Sequence, residues 1–407
     1  MKLSRTKIRM FLGIYLVMSM SCHAHELSVP RNDSVADWLI VGAGPAGIAV
    51  VGVLIDVGVN PQSITWLDPE FSVGRLGAHY GHVSANSQSK EFINLINACA
   101  CFQECSCPAI DALKDLDLTK YYELNMIIEP LKCITDHLCT KVHAIRDQLV
   151  SLNFEESNWH IGTQQNSVIV ANHVVLATGS HPKKLDYKTQ QIIPLDVALD
   201  PCNLKELIQP QDTVAVVGDA HSAILLLKFL SEMPIYQIYN FYQSPITYAV
   251  NLDGWIINAT TGLRGVAAEW AYNVLEKNPP ANLARIKSTP AILEQMLPVC
   301  SKVIYAIGFE RNALPPINDK IPVTQYNPTN GLIAPRLFGI GIAFPEKIVD
   351  HYGHDQYRIG FTSFMEYAQR IVPHWVNDPF YKQRDQRIYA QLKKLETLSD
   401  LFAIWTL

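Results

Sequence analysis

Apolar and polar positions along this chain follow two alternating periods. The run Asp37-Trp38-Leu39-Ile40-Val41 leads without a break into Gly42-Ala43-Gly44-Pro45-Ala46-Gly47 and then into an apolar stretch of helical length, Ile48 to Ile55. Continuous apolarity over so short a run marks a strand buried on both faces, and the glycine-rich turn after it predicts a strand-turn-helix unit. A second strand, Ser63 to Leu67, ends at Asp68. The same order returns 176 residues after Gly42: a strand at Thr213 to Val217, the turn Gly218-Asp219-Ala220-His221-Ser222-Ala223, a helix over Ile224 to Leu230, and a strand at Tyr236 to Tyr239 ending at Asn240. Between the two units, Gln148 to Phe154, Trp159 to Thr163 and Ser167 to Leu176 read as three short strands separated by turn residues. Strand and helix patterns alternating in this way predict an α/β protein with parallel sheets.

The first turn has the spacing G-x-G-x-x-G in the context that gives it meaning. Gly42 permits the tight turn, Gly44 lets backbone approach a pyrophosphate, and Gly47 lets helix pack closely on strand, with Pro45 and Ala46 between them at the helix start. The helix N-terminus supplies unpaired N–H groups and a positive dipole end for phosphate. Asp68, 21 residues beyond Gly47, is placed to hold a ribose hydroxyl. The second turn keeps Gly218, Ser222 and Ala223 but carries Ala220 where the middle glycine belongs, so a methyl group stands in the pyrophosphate path. Asn240 at the end of its second strand is neither the acid that favours a free ribose diol nor the arginine that favours a 2′-phosphate. It leaves NADH and NADPH undistinguished, with Arg264 as a substitute cation.

Composition narrows the picture. The chain has 407 residues, 48% hydrophobic and 17% charged, enough for two or three domains with substantial cores. Its net charge is −5, and the first 24 residues hold four cations and no acid, so the remainder is more acidic still and does not fit a nucleic-acid binder. Those cations, Lys2, Arg5, Lys7 and Arg9, precede an apolar run from Met10 to Met20 and the small residues Ser21, Cys22 and Ala24. This is the build of a secretory signal over residues 1–24, with export as the expected localisation and an uncleaved membrane anchor as the alternative. Any membrane contact would be through this end, because no other segment holds the 18 uninterrupted apolar residues that suggest a span. Of nine cysteines, Cys99, Cys101, Cys105 and Cys107 cluster, and an oxidising compartment predicts at least one disulfide among them. Their C-x-C-x3-C-x-C spacing lacks the usual zinc knuckles, so no metal site is expected. Cys202 and Cys300 read as small buried hydrophobes. His79, His82, His351 and His354 are candidates for acid/base work on loops.

Two further segments carry a resemblance. An apolar strand closes on Ala177-Thr178-Gly179-Ser180-His181-Pro182, and a similar one, Val303 to Phe309, stands at the exit of the second unit. With the two glycine turns, these resemble the FAD and NAD(P) oxidoreductases with two dinucleotide-binding domains, over roughly residues 36 to 375. Within that superfamily, the stretch His82 to Phe92 and the late segment Leu337-Phe338-Gly339-Ile340-Gly341 are similar to flavin-containing and N-hydroxylating monooxygenases. The F-x-G-x3-H signature is absent, and no C-x-x-C pair follows the first phosphate loop as in disulfide reductases.

The resemblance implies two Rossmann-like domains, the NAD(P) domain inserted into a discontinuous FAD domain: residues 36–205 and 313–407 for FAD and 206–312 for NAD(P). It implies FAD held by Gly42, Gly44, Pro45, Ala46, Gly47, Asp68, Val142, Thr178, Gly179 and Gly341. NAD(P)H would be held by Gly218, Ala220, Ser222 and Ala223, with Asn86 beside the reactive ring. The implied reaction is hydride transfer from NAD(P)H to FAD and on to oxygen or a small organic acceptor. Export and the lost glycine keep a second reading open: an exported flavin-binding protein, or an oxidase or quinone-linked dehydrogenase with a silent NAD(P) site.

Overall fold

The computed structural model describes residues 35–252, 255–258, 261–350 and 353–377. Residues 1–34, which include the expected export signal and Cys22, the residues His351 and Tyr352, and the segment 378–407 lie outside the described residues.

The first run of elements is β1 (Ala36–Val41), α1 (Pro45–Asp56), β2 (Ile64–Leu67), α2 (Gly74–His79), β3 (Ser84–Gln88) and α3 (Ser89–Ile96). It continues with α4 (Ala100–Gln103), α5 (Pro108–Lys114), β4 (Tyr121–Glu123), α6 (Asn125–Cys139) and β5 (His143–Ile145). An antiparallel meander follows, β6 (Leu149–Glu155), β7 (Asn158–Thr163) and β8 (Val168–Leu176), and then β9 (Ser180–Pro182), α7 (Leu195–Ala198) and α8 (Pro201–Leu207). The second unit comprises β10 (Thr213–Val217), α9 (His221–Ser231), β11 (Gln237–Tyr242), β12 (Val250–Leu252), β13 (Trp255–Ile257), α10 (Gly265–Trp270), β14 (Leu283–Lys287), α11 (Pro290–Met296) and β15 (Lys302–Tyr305). The chain closes with β16 (Phe309–Arg311), β17 (Leu332–Ala334), β18 (Leu337–Gly339), β19 (Glu346–Val349), β20 (Asp355–Arg358) and α12 (Phe361–Asn377).

These elements build two main sheets and four two-stranded ribbons, β3-β4, β9-β16, β12-β13 and β19-β20. The larger runs β17-β18-β8-β1-β2-β5 with β6 and β7 attached through β8, and the smaller is the all-parallel β14-β11-β10-β15. β18 lies parallel to β8 in the first sheet although the whole second sheet separates them in sequence, so the chain leaves the first layer and returns to complete it. The fold is of the α/β class with parallel strands that the strand and helix patterns imply.

α1 is apolar all round because it is covered all round. Residues Ala46 to Leu54 are buried among the sheet, α4, α6 and α12. A side chain at Gly52 would run into the Phe102 ring 2.5 Å away, which is why a glycine interrupts so apolar a helix. The opposite face of the sheet is closed by the meander, through Leu152, Trp159 and Ile161.

Several expectations change. β11 continues two residues past Asn240, which is fully buried in mid-strand rather than at its end, because its side chain serves the neighbouring loop. The disulfide joins Cys107 to Cys133 on α6, not to another member of the cysteine cluster. Cys107 caps α5, which packs on α6 and brings the two Cα atoms to 6.7 Å, whereas Cys99 and Cys101 point into the core beneath α1. Cys300 is buried as expected, but Cys202, in the first turn of α8, is exposed.

Candidate dinucleotide-binding sites

Both sheets end in the same loop geometry at the carboxyl edge of their first strands. In the first, the Gly42 N–H donates to the Leu67 carbonyl at 2.8 Å, and in the second the Gly218 N–H donates to the Phe241 carbonyl at 2.8 Å. Trp66 Nε1 donates to the Gly42 carbonyl at 3.0 Å, and Asn240 Nδ2 fills the same role toward the Gly218 carbonyl at 2.8 Å. Ala177 and Ala306 close the loops, each donating its N–H at 2.8 Å to the last residue of the first strand, Val41 or Val217. Gly42 and Gly218 have φ of +108° and +136°, and an added Cβ would collide with the carbonyl oxygens of Ala177 and Ala306. Glycine is required at both positions by the fold alone.

Gly44 differs. It caps α1 in ordinary extended backbone, φ −75° and ψ 178°, and a Cβ built on it meets nothing among the described residues within 4 Å. No side chain caps α1, so its first N–H groups face that open space. Gly74, with φ +57°, brings its backbone against Gly44, and Gly341, with φ +84°, sits where a Cβ would be 2.6 Å from the Ala46 methyl. The sequence points to Gly341 but not to Gly74, which lies in no recognised motif. Ala220 caps α9 in the same extended conformation, and it is exposed, with a methyl group at the position where the first loop has none.

Asp68 is spent largely on the protein. Its carboxylate accepts N–H bonds from Ala43 at 2.7 Å, Glu70 at 2.8 Å and Phe71 at 2.7 Å, tying the end of β2 to the glycine loop. The second unit inverts this arrangement: Asp219 on the loop accepts from the N–H groups of Gln243 and Ser244 after β11, at 3.0 and 2.8 Å. Thr178 and Gly179 follow Ala177 at the loop. The Thr178 hydroxyl is buried and has no partner among the described residues, while its carbonyl is held by Asn312 Nδ2 at 2.8 Å. Asn312, which also meets His181 Nδ1 at 3.0 Å, gave no sequence signal because its partners are distant in the chain.

Val142 is not brought to this edge. It precedes β5, whose His143 pairs with Thr65 and whose Ile145 pairs with Leu67, so it lies at the amino end of the strand, roughly 10 Å from the loop edge at about 3.3 Å per residue. Arg146, one residue past β5, reaches the edge instead and bonds the Glu70 carbonyl.

Asn86 is exposed on β3, two residues from Ser84, whose carbonyl meets His221 Nε2 at 3.0 Å. His221, with Ser222 and Ala223, opens α9, so this bond joins the second glycine loop to the strand carrying Asn86. Burial lowers the His221 pKa, a shift partly offset by the bond to Ser84, and its Nδ1 is buried with no partner among the described residues. A separate tether joins α2 to α7, since Arg75 and Tyr80 both bond the Asp196 carboxylate. Arg264 lines a cleft of about 630 Å³ with Gln88, Lys90 and Glu366.

Two sheets, one mixed and one all-parallel, whose first parallel strands each close on a glycine turn and an uncapped helix N-terminus, define a two-domain dinucleotide-binding fold. No family model matches the chain. Monooxygenase AgnR1 of Paecilomyces divaricatus is 32% identical over 384 residues, covering 83% of this chain and 97% of its own. The chain belongs to the FAD/NAD(P) oxidoreductase superfamily, in the family of that monooxygenase, and is an oxidoreductase. Its fold is also that of a flavin monooxygenase from Stenotrophomonas maltophilia, at TM-score 0.57 and 12% identity, covering 84% of this chain and 98% of the other. A bacillithiol disulfide reductase from Staphylococcus aureus matches at TM-score 0.56 and 11% identity, covering 85% and 99%.

Proposed function

We propose that this protein is an FAD-dependent monooxygenase-like enzyme that takes reducing equivalents from NAD(P)H and delivers them to oxygen or a small organic acceptor. The cradle at Gly44 carries the reading: backbone any residue can adopt, glycine chosen nonetheless, open space at its Cα, and an uncapped helix N-terminus facing that space. A residue free of internal steric demand yet lacking a side chain fits close approach by a pyrophosphate. Membership in the monooxygenase family supports the two cofactors, as do structural neighbours solved with FAD and with NADP bound.

In this reading Gly42, Gly44, Pro45, Ala46 and Gly47 hold the FAD pyrophosphate on the α1 N–H groups. Gly341 and Gly179 keep backbone close to it, the unpartnered Thr178 hydroxyl offers it a hydrogen bond, and the remaining lone pair of Asp68 faces its ribose. Gly218, Ala220, Ser222 and Ala223 hold the nicotinamide nucleotide in the same manner. FAD, when bound, supplies the redox chemistry. Asn86, held on β3 by the Ser84 to His221 bond, orients the reacting groups. The division into residues 36–205, 206–312 and 313–407, and export through residues 1–24, are parts of the same proposal.

The test is spectroscopic. Purified protein is expected to show bound flavin absorbance that bleaches under anaerobic NADPH or NADH. Flavin that neither nucleotide bleaches would favour the oxidase or flavin-binding reading, in which the Ala220 methyl closes the second site. Protein without flavin, and unable to take up added FAD, would refute the proposal.

A further inference from the structure

A cleft of about 630 Å³ lies between α3, α12 and the ribbon β12-β13, and none of its lining residues belongs to the proposed cofactor sites. One wall is the seam between α3 and α12, where the Phe92 and Phe361 rings meet at 5.3 Å between centroids and Gln369 Nε2 donates to the Ala98 carbonyl at 2.8 Å. Leu95 and Met365, only 4% and 3% exposed, make this wall apolar, and they share a core cluster with Ala46 of the first glycine loop and with Ile340 before Gly341. The facing wall comes from the second unit. Asn251 pairs with Ile256 across the ribbon, so these two share with Ala249 the face that lines the cleft, while Val250 and Leu252 are exposed on the other face. Gln88, at the end of β3 and two residues from Asn86, lines the cleft as well and brings it beside the strand that carries Asn86.

The polar groups of the lining select a kind of molecule. Lys90 and Arg264 are matched by Glu91 and Glu366, so the lining carries no net formal charge. Both acids already serve the protein: Glu366 bonds Arg358, and Glu91 accepts the Gln88 N–H at 3.4 Å in the capping box of α3. Lys90 is exposed, where solvent and salt screen its charge. What the cleft offers a ligand is instead amide. Asn94, Asn97 and Asn251 have no side-chain hydrogen bond among the described residues, and the Gln369 amide leaves its Oε1 unused. Each amide presents donors and an acceptor, the complement of hydroxyl and carbonyl groups. An apolar wall with a few such groups around it, in a volume of this size at the junction of the two units, is the build of a small-molecule site. We propose that this cleft takes the organic substrate, an uncharged molecule with an apolar face and hydroxyl or carbonyl groups along its edge. This rests on the reading of the protein as a flavin-dependent oxidoreductase with Asn86 beside the reactive ring, which places the cleft next to the chemistry.

Calorimetric titration of the flavin-loaded protein at neutral pH, with the flavin spectrum recorded alongside, tests it without turnover. The probes share one shape and differ in charge: naphthalenediol, naphthalenedicarboxylate and bis(aminomethyl)naphthalene. Naphthalenediol should bind at least about tenfold more tightly than either ion and should shift the flavin absorbance, as expected when two or more amide hydrogen bonds are matched. Asn94→Ala and Asn251→Ala, each removing one amide from an exposed side chain, should weaken its binding about fivefold without altering the melting temperature. Val250→Ser, next to Asn251 but on the outer face of the ribbon, should leave binding within about twofold of wild type. Equal or tighter binding of an ion, or no binding of any probe at millimolar concentration, overturns the substrate class. Binding that ignores Asn94 and Asn251, or that leaves the flavin absorbance unmoved, overturns the site. In each of these cases, flavin that NADPH or NADH bleaches keeps the oxidoreductase reading standing. Protein that takes up no flavin overturns that reading itself, and the inference with it.

Discussion

Replacing Gly44 by valine separates what the fold needs from what the ligand needs. The native backbone there, φ −75° and ψ 178°, is open to every residue, and a Cβ meets no described atom within 4 Å. The apoprotein should therefore lose no more than about 1 kcal/mol, the cost of a poorer N-cap residue. The isopropyl group would instead occupy the space in front of the α1 N-terminus. If it displaces a phosphate from two backbone N–H groups, each worth about 1.5 kcal/mol as a bond to a charged acceptor, the loss is about 3 kcal/mol, or roughly a hundredfold in Kd. The assay pairs thermal unfolding of the apoprotein by circular dichroism with fluorescence titration of FAD. Melting lowered by only a few degrees, with about a hundredfold weaker FAD binding, is expected. Gly42→Ala and Gly47→Ala are the controls, since their methyl groups collide with the carbonyls of Ala177 and Gly42 and should disrupt the apoprotein itself. Full flavin occupancy in Gly44→Val with an unaltered Kd would refute the assignment of this cradle to FAD.

Three other outcomes follow from the same structure. Ala220→Gly should tighten nicotinamide nucleotide binding by about 1 kcal/mol, roughly fivefold in Kd, because it clears a methyl group from an extended N-cap where glycine is also the better capping residue; weaker binding in stopped-flow reduction would contradict the loop assignment. Cys133→Ser opens a disulfide spanning 26 residues and should cost about 3 kcal/mol, read as a lower midpoint in urea, and an unchanged midpoint under oxidising conditions would show that the bond does not form. His79, His143 and His221 are all held below the ordinary 6.5 by burial, so the unfolded chain takes up protons first as pH falls. Stability should be full above pH 6.5 and decline as pH drops from there through the depressed folded values, with a limiting slope of about 1.4 kcal/mol per unit for the buried His221 and smaller contributions from the more exposed His79 and His143. His221→Gln should make that decline shallower, and a wild-type stability flat between pH 7 and 5 would contradict it.

Local chemistry makes the two glycine loops legible in the amino-acid sequence alone. A buried strand, a turn needing positive φ at Gly42 and Gly218, and an apolar helix are contiguous in sequence, and the contacts defining them lie within a few residues or one strand pairing. The parallel sheets and the β6 to β8 meander are readable for the same reason, because strand periodicity is a short-range signal.

Tertiary structure decided whatever depends on residues far apart in the chain. Asn240 reads as a strand end until its amide is seen to hold the Gly218 carbonyl and to anchor Arg285, 45 residues onward. Cys107 finds Cys133 because α5 packs on α6, although three cysteines lie nearer in sequence. Gly74 faces Gly44 only once the chain folds back across the loop. Sequence thus determined which segments become strands, turns and helices, through steric and hydrophobic preferences expressed over short distances. Which side chains meet was set by packing, because burial and pairing are properties of the assembled layers rather than of any segment alone.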